Sequence, residues 1–199
     1  MHQIIKEGSG PHLTTICLIR HGQTTWNKEG RFQGQADIPL DDTGMIQARE
    51  VAQRLIGKDL SAIYSSDLIR ARQTAEQLSS VYKLPVHIDH RLREINQGQW
   101  EGQLFDEIQL QNPDFFQRRL IEPLTMRPPG GETILEVRDR LLPAIDEISK
   151  AHLNEKIAIV SHGLAIAVIY SVAMGLPLEK AFSMIPPNAE PLWIEWEPA

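Results

Sequence analysis

The chain has 199 residues, 42% of them hydrophobic, with 26 acidic and 20 basic side chains and a formal charge of −6. That length and apolar content suit one sizeable α/β domain whose core needs no disulfide support. The acidic balance argues against a nucleic acid or an anionic membrane held through bulk charge, so any anion site must be local.

Residues 1–13 carry Gly8-Ser9-Gly10-Pro11 and no apolar run of signal-peptide length, and they read as a flexible leader before a single domain over 14–199. Ile16, Cys17, Leu18 and Ile19 then form a nearly continuous apolar segment, the pattern of a strand buried on both faces of a parallel sheet. Cys17, the single cysteine, cannot form an internal disulfide; it reads as a packed core thiol in a protein of the reducing cytoplasm. The strand stops on Arg20, His21 and Gly22, at the sheet edge where open α/β folds bind ligands.

Trp26 to Leu40 shows no helical or alternating period and reads as a long ordered loop. Asp42 or Thr43 is expected to cap a helix whose inner face is Met45, Ala48, Val51, Ala52 and Leu55. Ala62–Ser65 is a second strand, and Asp67 is expected to cap a helix carrying Ala71, Ala75, Leu78 and Tyr82 inward. Arg70 and Arg72 fall in the first turns of that helix, where its dipole disfavours cations unless an anion binds nearby. On that ground Arg70→Ala is expected to leave stability unchanged or raise it slightly.

Val86–Ile88 is a third strand, and 91–102 reads as a loop entering a helix. Residues 103–131 mix Phe105, Phe115 and Phe116 with Arg118, Arg119 and Arg127, and look like a small insertion over one sheet edge. A helix from Glu132 places Ile134, Val137, Leu141, Ile145 and Ile148 inward, with a kink expected at Pro143. Residues 157–160 form the last buried strand, Ser161-His162-Gly163 breaks it, and an apolar helix follows over about 164–174. From Ile157 to Leu178 no charged residue occurs, but that break argues for a buried strand and helix over a transmembrane span. Pro191 to Trp196 alternates as an edge strand.

Strands alternating with helices imply a mostly parallel sheet covered on both faces, with Arg20-His21, Arg70 and His162-Gly163 on one edge. Such a cluster can be a metal site, a hydrolase triad or an ion-pair network. Arg20 and Gly22 flank His21 and Gly163 follows His162, which suits no metal, and the only metal-like spacing, His87-Ile88-Asp89-His90, reads as surface. There is no Gly-x-Ser-x-Gly elbow, no Gly-x-x-x-x-Gly-Lys loop and no Gly-x-Gly-x-x-Gly, and Cys17 has no arginine six residues on. A histidine among cations on an anion-binding edge suits phosphoryl transfer, in which a neutral imidazole attacks phosphorus and a carboxyl acid protonates the departing oxygen.

At these residues the chain resembles the histidine phosphatase superfamily, also called phosphoglycerate mutase-like, over nearly its whole length. Leu18-Ile19-Arg20-His21-Gly22-Gln23-Thr24-Thr25-Trp26-Asn27 is similar to the opening motif, which implies phosphorylation of His21 and phosphate binding by Arg20 and Asn27. The run from Arg31 to Leu40 resembles the following loop and places Gln33 and Gly34 beside the substrate. The run from Tyr64 to Ala75 resembles the segment of the second phosphate arginine, which falls on Arg70. Leu92-Arg93-Glu94-Ile95 resembles the proton-donor segment, giving Glu94, and Val160-Ser161-His162-Gly163 the closing motif, giving His162, with Gly163 beside the substrate.

The resemblance implies a three-layer α/β/α fold with a mostly parallel sheet and a small insertion over the active-site edge. It also implies a phosphomonoesterase using no metal or other cofactor and taking a small-molecule phosphate ester as its partner, with a homodimer left open. Gly98-x-Trp100-Glu101-Gly102 resembles the phosphatase branch, and the longer insertion of the phosphoglycerate mutases is missing. Mutase activity is the alternative.

Overall fold

The computed structural model describes residues 13–199. The expected leader therefore falls almost wholly outside the described residues, and only Leu13, whose carbonyl accepts the Asn154 N–H at 2.8 Å, can be placed.

Five strands, β1 (Thr14–Arg20), β2 (Ala62–Ser65), β3 (Val86–Ile88), β4 (Lys156–Ser161) and β5 (Pro191–Trp196), form one sheet in the order β3-β2-β4-β1-β5. The first four are mutually parallel where they pair, and β5 runs antiparallel on the β1 edge. This is the mostly parallel sheet read from the sequence. The alternation along β1 divides the core. Ile16 and Leu18 face one layer with Ile157 and Ile159, whereas Cys17 and Ile19 face the other with Ala158 and Val160.

Helices α2 (Asp42–Arg54) and α3 (Ile69–Tyr82) cover the Cys17 side through Val51, Ala52, Ala71, Ala75 and Leu78. Helices α6 (Ile134–Lys150) and α7 (Gly163–Ala173) cover the other through Ile134, Val137, Leu141, Ile145 and the apolar α7 sequence. Cys17 is fully buried, and burial pushes its thiol up to about 12, so it stays an inert core group.

Several local expectations are corrected. The 26–40 stretch is not all loop: α1 (Thr25–Glu29) opens it, because Thr24 and Asn27 form a reciprocal capping box. The cap of α2 is Asp41, one residue earlier than expected, its Oδ1 accepting Gly44 N–H at 2.7 Å. Asp67 does not cap α3. It is drawn away into a bidentate pair with Arg93, at 2.7 and 2.5 Å, and the Ile69 N–H is satisfied by Asp37 Oδ1 at 2.6 Å. Pro143 stands inside helix α6 as the sequence places it, on the exposed face of a helix that continues to Lys150. There the carbonyl that loses its donor can be met by water.

Residues 103–131 fold as α4 (Phe105–Gln111) and α5 (Pro113–Ile121), tied together by an aromatic cluster of Trp100, Phe105, Phe115 and Phe116. No helix among the described residues is long and apolar enough to cross a membrane.

Candidate active site

The strand register builds the site. Arg20 pairs with Ser161 at the ends of β1 and β4, and His21 N–H donates to Ser161 O at 3.0 Å. Ser66, just past β2, donates its N–H to Val160 O at 3.0 Å. Three neighbouring parallel strands therefore end together and deliver Arg20-His21, Ser66 and His162 to one edge. Gly22 allows the turn away from it: a Cβ there would lie 2.4 Å from Gly44 O, so the chain can pass the start of α2 only without a side chain.

His21 is almost fully buried. Its Nδ1 lies 2.7 Å from Gly22 O, so Nδ1 carries the hydrogen, and Nε2 keeps its lone pair. Burial, reinforced by Arg70 and Arg20, holds the imidazole well below the ordinary histidine range, so it is neutral at physiological pH. Arg70 Nε donates to His21 Nε2 at 3.3 Å. The remaining Arg70 nitrogens bond Ala36 O at 2.6 Å and Gly34 O at 2.7 Å.

These bonds reverse the expectation for Arg70 stability. Its side chain is wholly buried and anchors the 34–36 loop, so the helix dipole is a minor influence on it. Burial pushes the guanidinium down to about 10, against the opposing pull of Glu94, Asp37 and Glu101. Arg72, on the same helix, is exposed.

Arg20 bonds Pro186 O through Nη1 at 2.8 Å, while its buried Nε has no partner. His162 is fully buried, its ring centroid 5.2 Å from that of His21. Ser66 Oγ accepts Leu68 N–H at 3.3 Å and lies 2.8 Å from His162 Nε2. The remaining nitrogen, Nδ1, is buried without a hydrogen-bond partner. Arg20 Nε and His162 Nδ1, both buried and unpartnered, lie beside Arg70, a grouping of polar nitrogens that can take an oxyanion.

Glu94 completes the cluster. Its carboxylate accepts Ile95 N–H at 3.0 Å and the Leu164 and Ala165 N–H groups at 3.2 Å each, capping the start of α7. Arg20, His21, Asn27, Gln33, Gly34, Arg70 and Glu94 all line one open pocket of about 390 Å³. His162 and Gly163 do not. They lie behind it, where a Cβ on Gly163 would come 2.9 Å from Ile185 Cγ2 and 3.5 Å from Arg20 Cζ. Gly34, at φ +52°, leaves room for Glu101, whose Oε1 accepts Gln35 N–H at 2.7 Å.

Some supporting residues carry no sequence signal. Arg140 on α6 donates to the carbonyls of Arg91, Arg93 and Glu94 at 2.7–2.8 Å and to both oxygens of Glu132 at 2.9 and 3.0 Å, gripping the loop that presents Glu94. Asn188 donates to His21 O at 2.8 Å, and Thr74 Oγ1 accepts Gly22 N–H at 3.1 Å. Such partners are backbone groups far along the chain, which no spacing rule reveals. Among the described residues no group of three or more His, Cys, Asp or Glu side chains is placed to hold a metal ion.

The geometry defines a class: a buried, neutral histidine at the carboxyl edge of a parallel sheet, beside two arginines and a second histidine. The family model described as Histidine phosphatase superfamily (branch 1) matches residues 16–199, and the chain belongs to that family. It is 34% identical to phosphoserine phosphatase 1 of Hydrogenobacter thermophilus over 177 residues, covering 89% of this chain and 84% of that one. It is 36% identical to a probable phosphoglycerate mutase, GpmB, of Yersinia pestis over 162 residues, covering 81% of this chain and 75% of that one. A solved mycobacterial glucosyl-3-phosphoglycerate phosphatase complexed with VO3 superposes with a TM-score of 0.81 at 31% identity, covering 92% of this chain and 90% of that one.

Proposed function

We propose that the protein hydrolyses phosphate monoesters of small metabolites, with no metal, through a phosphohistidine on His21. The carrying observation is the state of that ring: Nδ1 locked on Gly22 O, Nε2 unprotonated with its lone pair accepting from Arg70 Nε, and the whole imidazole kept neutral beside Arg70 and Arg20. The phosphoryl group seats among Arg20, Arg70 and Asn27, with the His162 ring behind them, and Arg70 Nε shifts its hydrogen from His21 to a phosphate oxygen, releasing the lone pair. Nε2 attacks phosphorus as the P–O bond to the alcohol breaks, and Glu94 gives its proton to the departing oxygen. Glu94, now a carboxylate, takes a proton from water as that water attacks the phosphohistidine. Inorganic phosphate and neutral His21 result.

The relatives support hydrolysis over transfer, since the phosphoserine and glucosyl-3-phosphoglycerate proteins are named as phosphatases and VO3 is a phosphoryl mimic. The mutase name on the GpmB relative supports the second reading. We also propose residence in the cytoplasm, on the strength of the lone buried thiol. The formal charge of −6 supports the absence of a nucleic-acid partner.

Purified protein incubated with phosphoserine, 3-phosphoglycerate and p-nitrophenyl phosphate, with EDTA present, is the test. Release of inorganic phosphate is expected. Isomerised phosphoglycerate without free phosphate supports the mutase, and abolition by EDTA with rescue by magnesium overturns the metal-free mechanism.

A further inference from the structure

Glu94 sits where no strand or helix holds the chain. Residues 93–97 are irregular backbone between two short 3₁₀ turns, His90–Leu92 and Gly98–Trp100. Carbonyls in such a stretch need donors from elsewhere. Arg140, inside α6, supplies them: Nη1 donates to Arg91 O at 2.8 Å and Arg93 O at 2.7 Å, and Nη2 to Glu94 O at 2.7 Å. Its other two N–H groups go to Glu132, Nε to Oε1 at 2.9 Å and Nη2 to Oε2 at 3.0 Å. All five guanidinium hydrogens are thereby used. Glu132 closes the clamp from the far side, its Oε2 accepting Asn96 N–H at 2.8 Å and its own N–H donating to Asn96 O at 2.9 Å. The main chain is gripped on both sides of the Glu94 side chain. Neither Arg140 nor Glu132 lines the His21 pocket, and their side chains are only 20% and 22% exposed. The Glu94 carboxylate itself reaches across to α7, to the Leu164 and Ala165 N–H groups, which lie in a first turn where no helical carbonyl can serve them.

We propose that Arg140, locked in its fork by Glu132, is a positioning residue for the proton donor: it holds the Glu94 main chain where the carboxyl group reaches the α7 amides and the oxygen of the leaving alcohol. This rests on the phosphatase reading for the role of the acid. It adds that cleavage of esters with poor leaving groups depends on an ion pair outside the pocket, which touches no substrate. Misplacing a catalytic group by about 1 Å costs on the order of 10²-fold in rate. Lysine at position 140 offers three donors on a single nitrogen and cannot serve three carbonyls and a bidentate carboxylate together. A pair that merely fastened the 91–96 backbone would, when broken, lower stability and slow every ester alike.

Two readouts on the full chain test this, and the first needs no turnover. Amide hydrogen exchange followed by NMR compares wild type with Arg140→Met, or with Arg140→Lys should the methionine variant fold poorly. Leu164 and Ala165 belong to α7, to which Arg140 makes no hydrogen bond, so their protection reports whether the Glu94 carboxylate has left its place. The expected result is a loss of protection of at least about tenfold at those two amides. Ile166, whose N–H is held by His162 O at 2.9 Å, should keep its protection. Full protection at Leu164 and Ala165 overturns the proposal, and so does an equal loss that includes Ile166. The second readout is kcat/KM for an alkyl phosphate and for p-nitrophenyl phosphate. Arg140→Met should slow the alkyl ester at least about tenfold more than the aryl ester, with Arg140→Lys between it and wild type, and should add no selective loss in a Glu94→Gln background. Equal losses for the two esters, or a selective loss that persists undiminished in Glu94→Gln, overturn it. Failure of the wild-type protein to release phosphate from either ester counts against the phosphatase reading, and hydrogen exchange then decides the positioning of Glu94 alone.

Discussion

Glu94→Gln separates acid catalysis from structural support, because the geometry described places Glu94 where it can serve as either. Its carboxylate caps α7 through Leu164 and Ala165 N–H, and it also lines the pocket beside His21. Glutamine keeps one acceptor oxygen but presents an NH2 group where the second oxygen stood. The cap weakens by roughly 1 kcal/mol, a small loss in unfolding free energy. The chemical loss is far larger for an alkyl phosphate, since an alkoxide cannot leave unprotonated; positioned general acids contribute about 10²–10⁴-fold. p-Nitrophenolate departs without a proton, so phosphohistidine formation from p-nitrophenyl phosphate should slow less than about tenfold. The assay is kcat/KM for both esters in wild type and variant, because that quantity covers steps through the first irreversible one. Equal losses for the two esters would refute the proton-donor role and leave Glu94 as a cap and binding group.

Arg70→Ala is expected to lower stability by about 3 kcal/mol in chemical denaturation, since the Gly34 and Ala36 carbonyls lose their donors while a desolvated cation is removed; unchanged stability would restore the dipole argument. His21 and His162 are both held neutral by burial, whereas the unfolded chain protonates its histidines near pH 6.5. Below that value the unfolded state binds more protons, so stability should fall as pH drops from about 6.5 toward the lower folded values. The slope is up to roughly 1.4 kcal/mol per pH unit for each ring. A flat profile between pH 6.5 and 5 would contradict the burial argument. Gly44→Ala should destabilise although alanine favours helices by about 1 kcal/mol, because its Cβ would lie 2.0 Å from Gln23 O; a raised melting temperature would show that the loop after His21 can give way.

How far the sequence reaches depends on where each element finds its partners. The strands and the four core helices follow from apolar periodicity, which reports burial directly, and their topology brings Arg20, His21, Arg70 and His162 to one edge as expected. Caps were less legible. Asp67 and Asp37 are both plausible caps for α3, and the choice is made by Arg93, which lies 26 residues from Asp67 and claims it. The structural weight of Arg70 is hidden for a related reason: helical position sets its dipole environment, but its bonds to the carbonyls of Gly34 and Ala36 are made across the fold. The Arg140 grip on the Glu94 loop depends on tertiary contacts that local patterns do not carry.

The central claim is that phosphate passes through His21. Rapid quenching of the wild-type protein with a radiolabelled phosphate monoester, followed by peptide mapping under alkaline conditions, tests it most directly. The account predicts an acid-labile, alkali-stable label on the peptide containing His21, formed and lost at rates consistent with turnover and missing in His21→Ala. Turnover with no label on His21, or full activity in His21→Ala, would contradict it.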